Sequence, residues 1–94
     1  MKTAFIIHGS NGGPNLHWYP WLKAELEKRG FKVILPKFPI YENQTLENWL
    51  KALKPFKKEL EDSIMIGHSL GASFIIDVLN LWDVKLKLLF LPLE

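Results

Sequence analysis

Apolar residues fall along this chain in two alternating rhythms. Thr3–Ile7, Phe31–Leu35, Ile64–Ile66 and Val84–Leu91 are short, largely apolar runs, closed by glycine, proline or polar turn formers, and they read as strands. The segments between them carry a helical period. Trp18, Trp21, Leu22 and Leu26 are predicted to share one face of a first helix, with Pro20 near its first turn and Lys28-Arg29-Gly30 as a basic last turn and glycine cap. Leu46, Trp49, Leu50 and Leu53 recur at i, i+3, i+4 and i+7 behind the capping residue Thr45, and Pro55 kinks or ends that helix. Leu70, Phe74, Val78 and Leu81 mark a third helix, after which Asn80 and Asp83 signal a turn. The charged run Lys57–Asp62 reads as a solvated approach to the third strand.

Four strands alternating with helices imply an α/β fold, a four-stranded parallel sheet with right-handed crossovers and helices on both faces. Pro36 and Pro39 directly after the second strand suit a sheet edge, so the expected strand order is 2-1-3-4. In that order the chain reverses direction between strands one and three. The loop after Ile7 and the turn after Ile66 then meet at the topological switch point, where open α/β sheets bind ligands.

Composition narrows the picture. Ninety-four residues, 48% of them hydrophobic, make residues 1–94 a single domain. A formal charge of +2, dispersed among acids, argues for neither nucleic acid nor an anionic membrane surface as partner. No apolar run approaches a membrane span, and the short run from Lys2 to His8 does not resemble a signal peptide. Cysteine is absent, which removes disulfides and thiolate metal sites and suits a cytoplasmic location. No metal site is expected.

The chemistry concentrates in Ile66-Gly67-His68-Ser69-Leu70-Gly71-Ala72, a G-x-S-x-G pattern set between a strand and a helix. That pattern in that setting is a nucleophile elbow: Ser69 occupies a strained turn, and Gly67 and Gly71 leave room for it. A tetrahedral intermediate needs two N–H donors. Leu70 and the Gly9-Ser10 backbone of the neighbouring glycine-rich loop are placed to supply them. Nucleotide binding at the same switch point is disfavoured, because neither G-x-G-x-x-G nor G-x-x-x-x-G-K-[ST] occurs. The aromatic cluster His17-Trp18-Tyr19-Pro20-Trp21 reads first as core packing, with a pocket wall as the lesser reading.

Taken together, His8-Gly9 with its glycine-rich loop, the His17–Leu22 helix start and the Ile66–Ala72 motif resemble the retinoblastoma-binding-protein-nine-like serine hydrolases of the α/β-hydrolase class. The resemblance covers the N-terminal half of such a protein, a truncated α/β-hydrolase core. It implies Ser69 as nucleophile, a small ester, thioester or amide as substrate, no cofactor, and a triad Asp and His in the other half. The triad order is Ser, then Asp or Glu, then His, and no histidine follows Ser69 here. His8 is expected to order the loop, His17 could approach the site as a departure from the family, and His68 should pack beside the turn. Asp77 and Asp83 read as solvent or capping residues. The expected function is therefore a serine esterase that is inactive or incomplete as these 94 residues stand; the alternative is a non-catalytic binding module on the same fold. The apolar fourth strand is expected to promote self-association.

Overall fold

The structure, a computed structural model, describes residues 2–90. Its first strand, β1 (Lys2–Ile7), is the centre of the fold, because it pairs in parallel on both sides, with β2 (Phe31–Ile34) and with β3 (Ile64–Gly67). The fourth strand, β4 (Leu88–Phe90), runs parallel to β3, giving the order β2-β1-β3-β4 that the sequence implies. Side chains alternate across this sheet as the strand period requires. Phe5, Ile7 and Met65 enter one cluster with Phe38, Trp49, Leu53, Leu60, Phe74, Ile75 and Val78. Ile6 and Ile66 enter a smaller cluster on the opposite face, with Tyr19.

One helix covers the smaller cluster. Helix α1 (Tyr19–Lys28) holds Pro20 in its first turn and ends before Gly30, whose φ of 90° suits a glycine. Its inward face differs from the expected one: Tyr19, Leu22 and Leu26 meet the sheet, while Trp21 is 65% exposed. The helix begins at Tyr19, and from that start the i, i+3, i+7 stripe points Trp21 outward.

The larger cluster lies under three helices. Helix α2 (Leu46–Leu53) is capped by Thr45, whose Oγ1 accepts the Asn48 N–H at 3.1 Å. It buries Trp49 and Leu53 and leaves Leu46 exposed. At Pro55 the chain tightens into a 3₁₀ turn, Lys54–Phe56, and continues as the short helix α3 (Lys57–Leu60). The charged run is thus helical, and it carries one apolar anchor, the fully buried Leu60. Helix α4 (Leu70–Trp82) buries Gly71, Phe74, Ile75 and Val78, an i, i+3, i+4, i+7 stripe, and leaves Leu70 and Leu81 exposed. Asn80 lies within it. The turn comes at Asp83, which closes the helix in the left-handed conformation. The segment 84–87, expected as strand, is irregular and runs beside the residues leading into β3: the Asp62 N–H donates to Lys85 O and the Lys87 N–H to Ser63 O. Leu91 and Pro92, the expected end of the fourth strand, lie outside the described residues.

Candidate active site

The link from β3 to α4 is two residues long, and that brevity shapes the site. His68 keeps the sheet register by donating its N–H to Ile7 O at 3.1 Å; Ser69 must then turn the chain, at φ 57° and ψ −120°, so that α4 starts at Leu70. Such a conformation costs a non-glycine residue about 1–3 kcal/mol and persists where packing imposes it. The packing is visible at the flanking glycines. A methyl group on Gly71 would run into the carbonyl oxygens of Ile7 and His8, and one on Gly67 would stand 2.8 Å from the Ala72 Cα. Helix α4 therefore presses directly on the ends of β1 and β3, and Ser69 is left exposed at the rim.

The loop after β1 closes over this turn. A Cβ on Gly9 would lie 3.2 Å from the Ser69 Cβ and 3.8 Å from its Oγ, so only a bare backbone fits so close to the hydroxyl. Tyr19, 1% exposed, holds the loop in place: its hydroxyl accepts the Gly9 N–H at 3.2 Å and lies 2.6 Å from His68 Nδ1. With Gly9 donating to it, the hydroxyl proton is free to go to His68. Burial pushes the Tyr19 hydroxyl pKa up, opposed by the Gly9 hydrogen bond. Of the two loop amides proposed as oxyanion donors, that of Gly9 is thus engaged. Among the described residues, the Ser10 and Leu70 amides have no intramolecular hydrogen bond.

A second latch comes from the segment before α2. The Asn11 N–H donates to Gln44 Oε1 at 2.8 Å, Gln44 Nε2 to Ser10 Oγ at 3.1 Å, and the Tyr41 N–H to Asn11 Oδ1 at 3.0 Å. Gln44 and the Tyr19 hydroxyl act over 33 and 49 residues of sequence separation, and no local pattern announces either.

The three histidines are placed differently. His8 is 1% exposed, with Nδ1 2.9 Å from Gly9 O and Nε2 accepting the Phe38 N–H at 3.0 Å. These partners fix the tautomer, with the proton on Nδ1, and leave no ring nitrogen free to take a proton from Ser69. Edge contacts with Phe38 and Trp49 complete the enclosure, and burial lowers the His8 pKa, opposed by the Gly9 hydrogen bond. His68 packs beside the turn against Trp18 and Tyr19. His17 is exposed, its ring 5.6 Å from that of His68. Asp83 caps α4, and Asp77 lines a small cavity between α2 and α4. Among the described residues no group of three or more His, Cys, Asp or Glu could hold a metal ion.

A family model described as serine hydrolase matches residues 4–91. The chain belongs to the serine hydrolase family. Within reach of that family, YdeN of Bacillus subtilis (strain 168) is 32% identical over 88 residues, 93% of this chain and 46% of that protein. The crystal structure of the ydeN gene product superposes with a TM-score of 0.84 at 30% identity, over 97% of this chain and 50% of that one. An extracellular α/β-hydrolase from a Paenibacillus species, described as sharing structural and functional homology with tobacco salicylic acid binding protein 2, gives a TM-score of 0.77 at 28% identity. It is covered to 40% of its length. This serine hydrolase chain thus spans about half the length of its relatives, and it has the α/β fold of their hydrolase class.

Proposed function

We propose that Ser69 is the nucleophile of acyl transfer from a small ester, thioester or amide to water, and that residues 1–94 hold the nucleophile and oxyanion donors of that reaction without its general base. The observation that carries this reading is the Ser69 turn: an exposed hydroxyl in a strained conformation, beside two uncommitted backbone amides. In the reaction the Ser69 Oγ attacks the carbonyl carbon as its proton passes to a base from outside these residues, and the resulting oxyanion takes hydrogen bonds from the Leu70 and Ser10 N–H groups; collapse breaks the bond to the alcohol, thiol or amine, which leaves with that proton, and water then hydrolyses the acyl-serine. Loss of one such donor costs a working enzyme about 2.7–4 kcal/mol. Gly9 contributes by its closeness rather than by its N–H. Gly67 and Gly71 let the nucleophile elbow form.

The base is the missing part. No histidine follows Ser69 in the sequence, and both nitrogens of His8 are committed to backbone groups. A second reading, a binding domain without catalysis, is favoured by that same absence. The narrower kinship, with the retinoblastoma-binding-protein-nine-like branch, rests on the His8-Gly9 loop and the His17–Leu22 helix start. A cytoplasmic location rests on the absence of cysteine, while the Paenibacillus relative is described as extracellular.

The test is covalent labelling by a fluorophosphonate probe with mass mapping. Slow label on Ser69, absent from Ser69→Ala, is the expected result; label elsewhere, or equal label on the variant, overturns the assignment.

A further inference from the structure

The cavity beside the turn has a floor, a mouth and a far wall of different chemistry. It holds about 110 Å³ between the N-terminal halves of α2 and α4. Leu70, Ser73, Phe74 and Asp77 line it from α4, an i, i+3, i+4, i+7 stripe, and Trp49 faces them from α2. One end of it adjoins the turn: Leu70, the residue after Ser69, lines it, and Gln44, also lining it, is hydrogen-bonded to Ser10 and Asn11. At 1.5 Å of rise per residue, Asp77 stands about 10 Å down the helix from Leu70. The groove thus mixes apolar walls, Leu46, Trp49, Leu70 and Phe74, with the polar Gln44, Thr45 and Ser73, and carries a carboxylate at its distal end.

We propose that this groove is the acyl subsite, and that it takes a short aliphatic acyl chain ending in a cation that pairs with Asp77. The inference rests on Ser69 being the nucleophile. A carbonyl bound by the Leu70 and Ser10 amides would face the end of the groove lined by Leu70 and Gln44, and an aliphatic chain laid along Trp49 and Phe74 would leave water as it enters. The volume of about 110 Å³ suits a short chain. A chain ending in a carboxylate would meet Asp77 with like charge.

Two measurements on the intact chain test this separately from Ser69 reactivity. In the first, methyl, pentyl, ω-aminopentyl and ω-carboxypentyl phosphonofluoridates compete for Ser69; the Oγ–P bond forms, the P–F bond breaks, fluoride leaves and the hydroxyl proton passes to solvent. Pentyl should label about tenfold faster than methyl, from two or so buried methylenes, and ω-aminopentyl about threefold faster than pentyl. Asp77→Asn should bring the amino-to-neutral ratio to about one, and Ser73→Phe should collapse the pentyl-to-methyl ratio by filling the groove. Ratios are taken within each variant, so a change in serine reactivity cancels. Equal rates for all four probes, or an amino preference that survives Asp77→Asn, overturn the proposal. In the second, Ser69→Ala is titrated with pentylammonium and with pentanoate and followed by amide NMR shifts. Shifts at Trp49, Ser73 and Asp77, at lower concentration for the amine, support the groove; shifts elsewhere, or no difference between the ions, overturn it. Absence of Ser69 labelling by every probe defeats the nucleophile assignment, while the titration still reads the groove.

Discussion

Ser69 holds a backbone conformation that glycine adopts more easily. Glycine adopts φ 57°, ψ −120° without the Cβ penalty, so Ser69→Gly is expected to raise stability by about 1 kcal/mol. For a domain of this size that is a rise in Tm of about 4–8 °C, accompanied by complete loss of fluorophosphonate labelling. Tyr19→Phe should act the other way. It strands the Gly9 N–H and the His68 nitrogen, costs about 1–3 kcal/mol, and slows Ser69 labelling because the loop is no longer tied to the turn. His8 gives a pH signature. Its folded pKa lies below its ordinary 6.5, so the unfolded chain binds the proton more readily, and stability is full above about pH 6.5 and falls as pH drops toward the folded value. Thermal melts between pH 7.5 and 5 should show this fall, and His8→Gln, less stable throughout, should show a shallower one. The sequence suggests an ordering hydrogen bond at His8, and its ring nitrogens meet Gly9 O and the Phe38 N–H. It could not reveal that Phe38, thirty residues away, supplies the partner.

Among the elements, what was legible depended on how local its cause is. The Thr45 cap, the Gly30 stop and the Gly67–Gly71 turn are each fixed by a few neighbouring residues, and each is where the sequence puts it. The facing of α1 depends on where its first turn begins: Trp18, Leu22 and Leu26 pack inward as the sequence implies, but Tyr19 rather than Trp21 is the buried aromatic. Leu60 was hidden in a charged run because a four-residue helix is too short to show a period. The fourth strand was overextended, since Val84 and Leu86 are apolar through packing against the larger cluster rather than through strand pairing. The close contact of α4 with β1 leads to a further expectation. Gly71→Ala places a methyl against two backbone carbonyls that cannot swing aside, and a loss of at least about 1–3 kcal/mol in chemical denaturation should follow.

Among the described residues, the order β2-β1-β3-β4 places β4 last in the sheet, with Leu88 and Phe90 each more than half exposed. An apolar edge strand pairs readily with another chain, and two such edges can meet about a two-fold axis. Concentration-dependent sedimentation is expected, and it should weaken in Leu88→Lys. Removing a triad member from a serine hydrolase leaves only about 10³–10⁴-fold acceleration over water, so Ser69-dependent ester turnover should be negligible for the chain alone and rise on mixing with the complementary half of a longer relative. The sheet's two faces, finally, are unequally clothed among the described residues: three helices lie over one, and on the other α1, through Tyr19, covers two buried sheet residues, Ile6 and Ile66. The thinly covered side is the one that supplies the Tyr19 hydroxyl to the Gly9 loop. Sub-global opening starts where buried contact is least, so the amides of α1 and of Gly9 should exchange with deuterium at one shared opening rate, faster than those of β1 and β3. Warming would then silence the serine while the sheet beneath it is still intact.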